Sequence, residues 1–163
     1  MKNNNVSKPK WYTIVSFTVV ILIITMFVRI PLPSGGYFNF GDVAVVFAAL
    51  MLGKWSGAIA GGIGSALADI LGGFAVFSPL TFFAKGFEGL LSGMAKGKKG
   101  FVFWILPALG VLSMVLIYFI GEIFMPAIKF EGAVLELVPN LIQAVGGYIG
   151  GKFLFEIYNR VAD

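Results

Sequence analysis

The chain has 163 residues, of which 58% are hydrophobic and only 12% charged, with a net charge of +4. A soluble domain carries about 25% charged residues, so so little charge in so apolar a chain excludes an ordinary water-soluble domain. It contains no Cys and no His, which removes the commonest ligands and nucleophiles for zinc, haem, thiol and imidazole chemistry.

The first apolar run, Trp11 to Val28, has no charged side chain. A bilayer with ~30 Å of hydrocarbon demands such a run, whereas a soluble core helix does not. It follows a basic tail, residues 1–10, that holds Lys2, Lys8 and Lys10. The run exceeds the usual ~7–15-residue apolar stretch of a signal peptide, and no Ala-x-Ala site closes it, so it reads as a retained span.

Breaks in the apolar pattern predict six helices, over residues 11–30, 42–54, 56–73, 78–96, 101–125 and 133–160. Pro31-Leu32-Pro33-Ser34-Gly35-Gly36 ends the first and opens a loop reaching Gly41. Lys54-Trp55-Ser56-Gly57 separates the second and third. Gly72-Gly73 ends the third, and Ser78-Pro79 starts the fourth. Lys96-Gly97-Lys98-Lys99-Gly100 ends the fourth, and Met125-Pro126 the fifth. The second helix is short for a span, and the end of the sixth, beyond Lys152, extends past the membrane. The expectation is a single all-α domain over 1–163: an integral bundle of six transmembrane helices, multi-pass in the cell membrane.

Threading those spans from a cytoplasmic N-terminus puts Lys2, Lys8, Lys10, Lys54, Lys96, Lys98, Lys99, Lys152 and Arg160 inside. Only Arg29 and Lys129 fall outside, and Lys85 lies within a helix. That bias satisfies the positive-inside rule with both termini cytoplasmic. The basic charge is then an insertion signal and needs no nucleic-acid partner.

Glycine, 22 residues in all, is patterned. Gly57, Gly61 and Ser65 recur every fourth residue, as do Ala58, Gly62 and Ala66. Gly146 and Gly150, and Gly147 and Gly151, repeat the spacing in the sixth helix. Small residues four apart share a helix face and admit close backbone approach. Tight packing within the chain is the favoured reading, and a docking face for another membrane subunit the sharper one.

Ionisable groups inside a membrane are costly and mark function. With this topology, Lys85 and Glu88, three apart on one face, fall in the outer half to middle of the fourth helix. Tyr118 and Glu122 share the outer part of a face of the fifth helix, and Asn140 and Gln143 lie in the outer half of the sixth. Asp69 sits near the outer end of the third, where an interface position is favoured; Glu122 and Glu136 read as solvated rim residues. The loop Tyr37-Phe38-Asn39-Phe40-Gly41-Asp42 lies outside too. The inner half is mostly apolar and small. This asymmetry describes a polar pocket facing outward, with an aromatic loop able to close over a flat ligand. Lys85 and Glu88 fit an ion pair and ligand contact equally.

Chemistry is otherwise sparse. Gly53-Lys54 precedes Trp55 and does not make a phosphate loop, and no Gly-x-Ser-x-Gly elbow occurs. No catalytic residue, metal site or cofactor is expected, and uphill transport needs partners or an ion gradient.

Several stretches are similar to the substrate-binding S components of energy-coupling factor (ECF) transporters: Gly41-Asp42, Leu52-Gly53, the run from Gly57 to Asp69, and Lys85-Gly86-Phe87-Glu88-Gly89-Leu90-Leu91-Ser92-Gly93. Within that family the chain resembles the branch assigned to hydroxymethylpyrimidine or pyridoxine-type vitamin precursors. The resemblance implies a subunit, not an enzyme, that sits in membrane lipid and binds a small-molecule vitamin from outside. It then docks on an EcfT-type transmembrane scaffold subunit attached to two cytoplasmic ATPase subunits. Carried over, Asn39 belongs to the lid loop, and Lys85, Glu88, Tyr118, Asn140 and Gln143 to the pocket. Where many members show Ala-x3-Ala on the first helix for docking, this chain has Thr13, Ser16 and Val20, which leaves the docking face open. The competing classes are a stand-alone secondary transporter, which expects inverted repeats and broken helices, and an intramembrane enzyme using Asp69 or Glu88.

Overall fold

A computed structural model describes residues 9–162. Lys2 and Lys8 of the basic tail lie outside the described residues. Six helices carry the fold: α1 (Trp11–Phe27), α2 (Gly41–Leu52), α3 (Lys54–Leu71), α4 (Ser78–Gly93), α5 (Phe101–Ile123) and α6 (Lys129–Ala162). A short antiparallel hairpin, β1 (Arg29–Pro31) and β2 (Tyr37–Asn39), joins α1 to α2.

The hairpin is the main departure from the expected elements. The first helix stops at Phe27 because the chain turns into β1, pairing Arg29 with Asn39, Ile30 with Phe38 and Pro31 with Tyr37. The turn closes through Gly35 N–H to Leu32 O (3.1 Å) and Leu32 N–H to Gly36 O (2.9 Å), and Gly35 holds a φ of +97° that a side chain would disfavour. The sixth helix also starts earlier than expected, at Lys129.

α2 is the centre of the bundle. Nine of its 12 residues are buried, and it packs against α1, α3, α4 and α6. Being wrapped on all sides explains why so short a segment is apolar throughout. α1 is its opposite: only Ile21 and Thr25 are fully buried, Ile14, Phe17 and Ile24 pack half-buried against the core, and Trp11, Val15, Val19, Val20, Ile23 and Phe27 are exposed. α5 and α6 are each long and apolar enough to cross a membrane; α1 and α2 are apolar but shorter. At ~1.5 Å per residue, α1 reaches ~25 Å, just under the hydrocarbon thickness.

The small-residue stripes pack within the chain. A Cβ on Gly57 would stand 2.8 Å from Ala49 Cα and 2.9 Å from Gly89 O, and one on Gly61 2.8 Å from Lys85 O. α3 is thereby pressed onto α2 and α4. Gly147 and Gly151 receive Asp42 and Val46 of α2, which seats α6 on the same central helix. Gly146 meets no atom within 4 Å and lies on the open face of α6. Because glycines let α3, α4 and α6 approach α2 so closely, polar side chains on those helices meet across short gaps at one end of the bundle.

Candidate substrate-binding cleft

At the hairpin end, side chains from β2, α3, α4, α5 and α6 line a narrow cleft. Five of the six expected site residues line it: Asn39, Lys85, Tyr118, Asn140 and Gln143. Glu88 sits beside Lys85, fully buried, and is not part of the lining.

Lys85 is 2% exposed and pairs with two carboxylates, Asp42 from the first turn of α2 and Glu88 (3.2 Å) one helical turn along. A buried ammonium is tolerable only when its charge is met in this way. The pairing with Glu88 was one of the two expected possibilities. Asp42 was read as an outer loop residue, yet it is 1% exposed and supplies the closer contact. The pairing is long-range in sequence, so no local spacing announces it.

The hairpin is fastened over the cleft by polar bonds. The Tyr37 hydroxyl donates to Asp69, and the backbone N–H of Asn39 to Gln143 Oε1. Ser34 Oγ and the Gly36 N–H (3.1 Å) both donate to Glu136 Oε1. Burial, reinforced by the Asp69 carboxylate, holds the Tyr37 phenol above its ordinary pKa, so it remains a donor. Glu136 and Glu122, each 3% exposed, are buried and not solvated rim residues, and Asp69, at 0%, is buried with them. All three line the cleft. The hairpin displaces water that an open loop would have left on these carboxylates.

The aromatic loop also behaves differently from expectation. A strand alternates its side chains, so Tyr37 and Asn39 face the cleft, while Phe38 and Phe40 stack edge-on against each other (centroids 5.5 Å) beside α6. Only one of the three rings is available to a ligand.

Within α6, Gln143 Nε2 donates to Asn140 Oδ1 (3.2 Å), so these two bond along their own helix and Gln143 reaches the hairpin. On α4 and α5, the Tyr118 hydroxyl donates to Thr81 Oγ1 (2.9 Å). Thr81 was not singled out in the sequence, although it precedes Lys85 by four and shares its face. Glu136 likewise precedes Asn140 by four. No group of three metal-ligating side chains occurs among the described residues.

This arrangement defines a membrane-type helical bundle with a lidded polar cleft at one end. Residues 11–160 match the family described as ECF-type riboflavin transporter, S component. The chain belongs to this family, and is accordingly a membrane-embedded transporter subunit and not an enzyme. Membership implies an EcfT partner, ATPase subunits and a vitamin-class small molecule as substrate. The chain is also 39% identical over 147 residues to a protein of Pyrococcus woesei described as uncharacterized, in the gap 3′ region. That similarity covers 86% of this chain and 96% of the relative.

Proposed function

We propose that the chain spans the membrane six times with both termini cytoplasmic and captures a small heteroaromatic vitamin or precursor from outside. It then passes the vitamin to an EcfT-type scaffold driven by two cytoplasmic ATPases. The observation that carries this reading is the convergence of polar side chains from β2 and four helices on one cleft, under a hairpin held by α3 and α6. The basic residues favour the orientation: Lys54 and Lys96 gather at the opposite end of the bundle, beside Pro9.

Asn39, Lys85, Tyr118, Asn140 and Gln143 are the proposed ligand contacts, with Glu88 acting through Lys85. Riboflavin is one cargo, after the family's description. Hydroxymethylpyrimidine or pyridoxine is the other, favoured by the motif resemblance and by the narrowness of a cleft lined by Tyr37, Phe77 and Tyr118. All are uncharged heteroaromatic alcohols, suited to one stacked ring and several hydrogen bonds.

The test is titration of the purified chain alone, in detergent, with riboflavin, pyridoxine, hydroxymethylpyrimidine, thiamine and folate. Saturable binding of one is expected. Asn140→Ala should weaken it about tenfold, the loss of one buried hydrogen bond, with unchanged helical circular dichroism. Absence of binding to every compound, or full affinity in Asn140→Ala, overturns the reading.

A further inference from the structure

The polar groups of the cleft are unequally committed. Its donors are largely spent on the protein itself: Tyr37 on Asp69, Tyr118 on Thr81, Lys85 on Asp42 and Glu88, and Gln143 on Asn140. Its acceptors are not. Asp69 Oδ2 and Glu122 Oε2 are buried without a hydrogen-bond partner, on side chains that line the cleft and are 0% and 3% exposed. Buried acceptors left empty cost free energy, so these two oxygens favour whatever brings donors to them. Glu136 is a third carboxyl in the same lining. The only lysine or arginine lining the cleft is Lys85, already bracketed by two carboxylates.

We propose that the wall formed by Asp69, Glu122 and Glu136 makes the cleft selective for uncharged or cationic ligands rich in O–H and N–H donors. Carboxylate- and phosphate-bearing forms of the same heteroaromatic are rejected. The rejection of anions is carried by the ionised carboxyls. An ionised carboxyl repels an anion and accepts from a hydroxyl or amine. A protonated one keeps an acceptor oxygen but adds an O–H donor, so discrimination against the anionic member falls as the carboxyls are protonated. With little water in the cleft, repulsion between like charges is weakly screened. Hydroxyl and amino groups on the ligand satisfy Asp69 Oδ2 and Glu122 Oε2, whereas a phosphate brings more acceptors to a site already short of donors. The preference differs from what a basic net charge of +4 suggests: among the described residues Lys85 is the one cation in the lining and is already paired, while the Arg29 guanidinium stacks on the Tyr37 ring outside the lining.

This inference rests on the vitamin-binding reading above and sharpens its substrate class. The experiment compares matched pairs on the purified chain in detergent: riboflavin with its 5′-phosphate, and pyridoxine with its phosphate. The uncharged member of the pair that binds is expected to be favoured by about 100-fold, the scale of one like-charge contact in a poorly screened site. Glu122→Gln keeps an acceptor oxygen and removes the charge, so it should narrow that ratio about tenfold while changing affinity for the uncharged member by less. A phosphorylated member binding as tightly as its parent, or a ratio unmoved by both Glu122→Gln and Glu136→Gln, overturns the carboxylate wall and leaves the vitamin-binding reading standing. Absence of binding by either member of both pairs overturns the carboxylate wall, and absence of binding to every compound of the wider titration overturns the vitamin-binding reading as well.

Discussion

Among the described residues two lysines are buried, one toward each end of the bundle, and they are accommodated in opposite ways. Lys85, under the hairpin, is enclosed by Asp42 and Glu88. Lys152, where α6 passes the start of α5, is 3% exposed, and its Nζ lies 3.2 Å from the Trp104 ring centroid and 4.2 Å from that of Phe103. Its other polar contact is the Phe103 carbonyl at 3.4 Å, and no carboxylate lies within salt-bridge reach among the described residues. Ring faces stabilise a cation modestly and impose little geometry. A carboxylate pair binds it strongly, but each partner becomes costly when the other is lost. The hairpin end is therefore a network whose members depend on one another. The opposite end is a sealed apolar contact that tolerates change.

The largest expected effect follows from removing the shared cation. Lys85→Met leaves Asp42 and Glu88 buried without their counter-charge, a loss of about 3–5 kcal/mol. Thermal unfolding of the detergent-solubilised chain should drop by about 10 °C, and ligand binding should be lost. Adding Asp42→Asn and Glu88→Gln to Lys85→Met should recover part of the stability. A triple variant no better than the single one would sink the network account.

A smaller effect is expected where the hairpin is fastened. Glu136→Ala removes the acceptor for both Ser34 and Gly36, about 1–3 kcal/mol of hydrogen bonding to a charged group. Ligand release, followed by stopped-flow, should accelerate about tenfold, with a fall in melting temperature smaller than that of Lys85→Met. Unaltered release would show that the hairpin does not control exit.

Smallest of all is Lys152→Met. Methionine keeps the stem and places a thioether against the rings, so a change within about 1 kcal/mol, or about 2–4 °C, is expected. Equal shifts in Lys152→Met and Lys85→Met would erase the distinction between the ends.

Much of the bundle was legible in the chain because each signal is local. Gly-Gly pairs, Ser78-Pro79 and Met125-Pro126 break the helices within a few residues of their positions in the structure. The four-residue spacing of Gly57 and Gly61 foretold close packing, since a missing Cβ acts wherever the partner comes from. That Asn39, Lys85, Tyr118, Asn140 and Gln143 meet at one end of the bundle followed from threading the spans alone.

The remainder depended on contacts between distant residues. Nothing near Asp42 says that Lys85 will neutralise it, and nothing near Glu136 says that Ser34 and Gly36 will cover it. A carboxylate near a helix end reads as solvated until a folded neighbour excludes the water. The hairpin was hidden for a related reason. Three-residue strands carry too little pattern to declare a period, and their pairing is set by where α1 and α2 leave the chain ends. Local sequence thus determined which segments are helical, where they stop and which faces hold polar groups. Only the tertiary structure decided which charges meet and which acceptors stay empty, because both depend on the distance between residues far apart in the chain.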